Sequence, residues 1–251
     1  MHGPYALSLH AEAVVLVPGL ALAYGLAARR YPAPGWRVGA FAAGLGIILV
    51  AFVSPLETLA LHYLLTAHLL QNVVLAEWAP ALCVLGLPPA LAAALGRRRV
   101  VRALTHPLIA LPVWLGTYFV WHIPAIYDTA LEHAGSLLHL EHVSYFAAGT
   151  LVWWPILQAA PRRLSAGAKA AYLFAAFVLA SPLGLLLALL PDAVYGFYER
   201  APRLWGLSAI GDQQLAGITM AVEQALVFFV LFAVYFLRFM QEEDGTVPAI
   251  R

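Results

Sequence analysis

The sequence predicts an all-α protein that crosses a membrane seven times, with its N-terminus outside and its C-terminus inside. Three observations carry that prediction. The first is composition. Of 251 residues, 63% are hydrophobic and only 11% are charged, whereas a soluble domain carries about 25% charged residues. The second is a series of apolar runs close to the roughly 20 residues that a span needs. The third is the placement of the basic side chains: 12 of the 14 lysines and arginines fall in connections on one side of those runs, which the positive-inside rule assigns to the cytoplasm. The net charge of +1 gives no reason to expect nucleic acid as a partner; the lipid bilayer is the expected one. Cys83 is the single cysteine, so no internal disulfide and no CxxC motif is available. The chain reads as one transmembrane domain, 1–239, followed by a polar cytoplasmic tail, 240–251.

The first span is read as Leu9 to Ala28, closed by Arg29, Arg30 and the turn YPAPG. The N-terminal stretch lacks a basic n-region and a small-residue cleavage site, so this span is expected to be retained. The second runs from Val38 to Val53 and stops at Ser54-Pro55. The third covers Leu59 to Leu85 and is long enough to tilt. A short surface helix with a basic edge, Arg97 to Arg99 and Arg102, follows. The fourth span is Leu108 to Tyr127, with Pro112 and Pro124 inside it. The fifth is Ser136 to Leu157, the sixth Ala168 to Leu190, and the seventh Asp212 to Phe239 after an aromatic connection, YGFYERAPRLWGLSAIG. Trp153 and Trp154 are expected in the aromatic belt at the inner surface.

Polar chemistry gathers toward the outer face. Four histidines fall between Trp121 and His142. His2, His10, His62, His122, His133, His139 and His142 lie at or near the outer surface, and His106 lies inside. His68 is placed about 10–15 Å into span three, at about 1.5 Å per residue. Polar groups inside lipid are costly and face the bundle interior. His139 and His142, three apart, share one helix face. That spacing suits metal ligands and equally suits interfacial histidines bonded to neighbouring helices; spacing alone does not choose. Glu141 lies about 200° round the helix from His139, where it orients a neighbour or faces outer water. His122 precedes Pro124, which removes a backbone hydrogen bond, so it is a ligand or a partner for loose backbone. Asp212 opens span seven either as a ligand candidate or as a helix N-cap. Gln213, Gln214 and Asp128 are candidate supporting groups. Glu77 and Glu223 are carboxyl groups within the membrane, bonded inside the bundle or relaying protons. A metal site here is nitrogen- and oxygen-based, because Cys83 and Met220 are the only soft ligands in the spans; imidazole suits copper or zinc.

Four stretches taken together resemble the CtaG family of cytochrome c oxidase assembly factors: HLLQNVVLAEWAPALCVLGLP, WHIPAIYDTALEH, HLEHVSYFAAGTLVWWPIL and DQQLAG. This is the multi-span family, not the single-span copper chaperone that shares the name. The resemblance covers about Ser54 to Ala225. It implies a multi-pass protein of the bacterial inner membrane that helps mature a haem-copper oxidase by transient copper binding, with zinc as the other ion the ligands suit. The implied partners are an oxidase subunit under assembly and a periplasmic copper donor. The implied ligands are His122, His139 and His142, with His68 and Asp212 beside them. The family pattern has H-x-x-x-H in the third span; here His68 matches its first position and Asn72 stands at the second, a weaker ligand.

No chemical step is required by this reading, so no enzymatic activity is expected. Two other classes remain open. An intramembrane zinc hydrolase would use Asp212 or Glu141 as base, although H-E-x-x-H is missing from the sequence. A haem-binding electron-transfer protein would use two histidines as axial ligands. A transporter, with a path through Glu77 and Glu223, fits less well because the polar residues gather on one side.

Overall fold

The computed structural model describes residues 3–7, 10–245 and 248. Among the described residues every regular element is helical. The helices are α1 (Glu12–Arg30), α2 (Gly35–Val53), α3 (Pro55–His62), α4 (Leu65–Gly86), α5 (Pro89–Gly96), α6 (Arg99–Leu104), α7 (Pro107–Trp121), α8 (Pro124–Glu132), α9 (Leu137–Leu157), α10 (Ala166–Leu189), α11 (Gly196–Arg200) and α12 (Ala209–Glu243).

Local chemistry sets the boundaries. Ser54, Ser165 and Ser208 start α3, α10 and α12 by accepting the backbone N–H groups of Leu56, Ala168 and Gly211. Proline opens α3, α5, α7 and α8, where its missing N–H costs nothing. Five helices (α1, α2, α4, α10 and α12) are long and apolar enough to cross a membrane. The pair α7 and α8 makes a sixth if its 73° bend is counted as one broken span. The bend lies at His122-Ile123 and follows from Pro124, which forces Ile123 into extended backbone, ψ 121°. The fourth run is therefore not the single helix read from the sequence. Helix α9 has the length of a span, but its first turns carry His139, Glu141 and His142.

The third run is also broken. Tyr63 and Leu64 interrupt it, and the continuous helix starts at Leu65. His68 is thus one turn from the start of α4, about 5 Å in, and not 10–15 Å. Helix α4 is the centre of the bundle: 72% of its apolar window is buried, against 17–39% for the other four. It packs against α2, α9 and α12. Backbones come close at several glycines, among them Gly149 and Gly217. A Cβ on Gly149 of α9 would lie 2.3 Å from the Ala76 oxygen of α4, and one on Gly217 of α12 would lie 2.5 Å from the Gly184 oxygen of α10.

Among the described residues three π-helical turns lie in these helices: Glu12–Leu16 at the start of α1, Val74–Trp78 within α4 and Ala225–Phe229 within α12. Each contains or closely follows a buried acid, Glu12, Glu77 or Glu223. Such turns concentrate at functional positions.

The two ends of the bundle differ in charge. At one end Arg37 donates to the Leu85 and Leu87 carbonyls, and Lys169 donates to the Ile156 carbonyl. Arg163, Lys169 and Arg238 line one cleft there. The opposite end carries His10, Glu12, Glu57, His139 and His142. Trp153 and Trp154 are buried rather than belted: Trp153 stacks on Phe228, and Trp154 donates to the Ala160 carbonyl. Helix α12 runs on to Glu243. His2 and most of the polar tail lie outside the described residues.

Candidate metal site

Glu12 is the hub. It is the only acid in α1, and it is buried. Its carboxylate accepts from three imidazoles. His139 Nδ1 and His142 Nδ1 both donate to Oε1 at 2.7 Å, and His10 Nδ1 donates to Oε2 at 3.1 Å. His10 then reaches a second carboxyl group, with Nε2 3.3 Å from Glu57 Oε1. Gln71 holds the other oxygen of Glu57 at 2.6 Å and ties it to the Ala51 carbonyl. Four helices thus meet at one polar knot: α1, α3, α4 and α9.

The electrostatics follow from this geometry. The hydrogen bond to Glu12 raises the His10 pKa above the usual histidine value, against the opposing pull of burial. Burial pushes the Glu57 carboxyl up to about 7, against the attraction of His10 and the bond from Gln71. Among the described residues, His10, Glu12 and His139 form the one group of three whose ligand atoms all lie within 4.8 Å of one another. That spacing and donor set can hold a cation.

A second layer lies directly beneath. His68 Nδ1 pairs with the Tyr198 hydroxyl at 2.8 Å. His122 Nδ1 donates to the Tyr118 carbonyl at 2.7 Å, the loose-backbone role expected of a histidine at a helix end. Ile123 N donates to the Val120 carbonyl, so that oxygen is not left free. Asn72 Nδ2 donates to Glu141 Oε1 at 2.9 Å, and His68 Nε2 lies 3.8 Å from the same oxygen. Glu141 is fully buried and turned toward α4, not toward outer water.

The remaining sequence candidates sit elsewhere. Asp212 lies at the start of α4, where Oδ2 accepts from Leu65 N at 2.7 Å and Oδ1 from Thr66 N at 3.1 Å and from the Thr66 hydroxyl at 2.7 Å. It caps α4, while Ser208 caps its own helix. Gln213 accepts from Val194 N and donates to the Asp192 carbonyl, fastening the α10–α11 connection. Asp128 accepts from Gly196 N and Phe197 N, at the head of α11. Gln214 is half-buried on α12. Glu77 and Glu223 lie deeper and face one another across α4 and α12, and Trp78 donates to Glu223 at 2.6 Å. A cavity of about 10 Å³, lined by Asn72, Glu77, Tyr118, His122 and Tyr145 among others, lies between the histidines and this acid pair; it has room for about one water.

Sequence reasoning named His139 and His142 but missed Glu12, His10 as its partner, Glu57 and Tyr198. The available signal was a lone carboxylic acid in an apolar span, which is a site by default.

These helices and this cluster define the class: an all-helical protein with five or six helices long and apolar enough to cross a membrane and a histidine–carboxylate cluster at one end. Residues 20–242 match the family described as cytochrome c oxidase caa3 assembly factor, Caa3_CtaG, and the chain belongs to that family. It is 27% identical to uncharacterised proteins of Mycobacterium bovis and Mycobacterium tuberculosis, over 89% of this chain and 37% of theirs. It is 24% identical to one of Mycobacterium leprae, over 88% of this chain and 37% of the other. The chain therefore spans little more than a third of the length of these relatives. No solved structure matches it.

Proposed function

We propose that this protein carries copper for the assembly of a haem-copper oxidase. In this reading His10, Glu12, His139 and His142 hold the ion transiently near the outer face, with His68 and His122 beneath. A periplasmic copper donor loads the site, and an oxidase subunit under assembly receives the ion. The carrier performs no chemical step, and zinc is the competing ion. The observation that carries the proposal is the Glu12 carboxylate shared by three imidazoles, with donor atoms of His10, Glu12 and His139 within 4.8 Å. Family membership supplies the oxidase.

The proposal includes seven spans in a bacterial inner membrane. Helix α9 counts as a span, because its 21 residues rise about 31 Å at 1.5 Å each, matching the roughly 30 Å hydrocarbon core. The broken α7–α8 pair counts as another. The basic end faces the cytoplasm, so the N-terminus and the histidine cluster face out.

The test is copper content and affinity of the purified protein in detergent, beside His139→Ala/His142→Ala. The wild type is expected to retain copper and the double variant to lose it. Failure of the wild type to bind either copper or zinc would remove the carrier and leave the histidines as structural groups.

A further inference from the structure

The layer beneath the outer cluster holds six buried polar atoms without a hydrogen-bond partner among the described residues. They are Nε2 of His68, His122 and His142, Oε2 of Glu141, Oδ1 of Asn72 and the Tyr127 hydroxyl. They are neighbours. The His68 ring lies 6.2 Å from that of His142 and 5.2 Å from that of Tyr127, and His68 Nε2 lies 3.8 Å from Glu141 Oε1. Protein interiors leave only a few such atoms per 100 residues, and each asks for an explanation.

The hydrogen bonds also fix what the histidines offer. Tyr198 donates its one hydroxyl proton to the Ala60 carbonyl at 2.6 Å, because a carbonyl only accepts. His68 Nδ1 must then donate to the Tyr198 oxygen. His122 Nδ1 donates to a carbonyl and His142 Nδ1 to a carboxylate. Each ring therefore carries its proton on Nδ1 and presents a bare lone pair at Nε2. An outer partner that pins Nδ1 and points Nε2 inward is the arrangement that prepares a histidine to ligate a metal.

We propose that His68, His142 and Glu141, with Asn72 beside them, form a second cation site one layer below the first, and that it takes a single copper(I) ion. This deepens the carrier reading and rests on it. One carboxylate and one monovalent ion sum to zero charge, whereas a divalent ion would leave net charge in an apolar interior, which is costly. His142 belongs to both layers: Nδ1 faces Glu12 and the outer group, Nε2 the inner one. His142 thus keeps its Nδ1 proton on Glu12 while its Nε2 lone pair is available to the inner site. The inner donors stand farther apart than those of the outer group, so the inner site is expected to be the weaker of the two.

The experiment is a titration of the full chain in detergent with copper(I) under reductant, in competition with a chromogenic copper(I) chelator. The wild type, His139→Ala, Glu141→Gln, His68→Gln and Tyr198→Phe are compared. Two equivalents are expected for the wild type. His139→Ala should lose only the outer one. Glu141→Gln and His68→Gln should lose only the inner one. Tyr198→Phe leaves every inner ligand in place but removes the acceptor that holds His68, and should weaken the inner equivalent roughly 10–100-fold; it decides the matter if a ligand variant fails to fold. A wild type that binds one equivalent, unchanged in Glu141→Gln, His68→Gln and Tyr198→Phe, overturns the inner site and leaves the carrier standing. A wild type that binds no copper removes the carrier itself.

Discussion

Asp212→Asn separates a structural carboxylate from a ligand. Asp212 is fully buried and takes the Leu65 N–H, the Thr66 N–H and the Thr66 hydroxyl on its two oxygens. Asparagine keeps one acceptor and turns an amide NH₂ toward a backbone N–H, so at least one charge-assisted bond is replaced by two opposed donors. That bond accounts for about 1.5–3 kcal/mol. The lost charge at the N-terminus of α4 adds about 0.3–1 kcal/mol, and up to about 2 in a partly buried setting. The expected destabilisation is about 2–5 kcal/mol. Cys83 supplies the assay: it is the only cysteine, it is buried, and it packs against Gly44, so a thiol-reactive dye reports unfolding on heating. The variant should expose Cys83 at a lower temperature and, while folded, bind as much copper as the wild type. A variant that unfolds with the wild type yet has lost copper would refute the reasoning and make Asp212 a ligand.

Three further outcomes are expected. Glu12→Gln removes the shared anion and puts an amide donor against one of three imidazole N–H groups; the outer copper equivalent should disappear from a copper titration. Gly149→Ala gains about 1 kcal/mol of helix propensity but places a methyl 2.3 Å from the Ala76 oxygen, and such overpacking costs about 1–3 kcal/mol; the Cys83 assay should show net loss, and a stabilised variant would mean that α4 and α9 part easily. In metal-free protein, Glu57 keeps its proton in the folded state up to about pH 7 and loses it near 4.5 when unfolded. The folded state therefore binds the extra proton between those values, and stability falls as pH rises through that window. The His10 contribution runs the same way, being complete below its ordinary value and lost as pH rises through the raised one. Glu57→Gln should flatten thermal stability between pH 5 and 7.

The helices of the bundle were largely legible in the sequence because long apolar runs report them directly. The ends of α2, α9 and α10 fall within three residues of where the runs place them. The site was legible only in part. The H-x-x-H spacing locates His139 and His142 on one helix, but periodicity says nothing about which helix that face meets, and Glu12 lies 127 residues away from His139 in the chain. The break before α4 had no glycine or proline to announce it. Leu64 is extended there, and the cap is supplied by Asp212, 147 residues on from Leu65. Asp212 itself reads as the start of its own helix because N-cap preference is local, and a residue one turn in can cap a different helix.

The three π-turns set where this chain tolerates a change of length. A π-turn is an α-helix with one residue to spare, so deleting a residue within Val74–Trp78 restores a regular helix and leaves both flanks in phase with their neighbours. A deletion between Leu65 and Val73 has no such slack. It turns the start of α4 by about 100° against the rest, swinging His68 away from Tyr198 and Leu65 away from Asp212. Length variation among relatives is accordingly expected to fall at these turns, beside the buried acids, and a shorter relative is expected to have changed the acid with it.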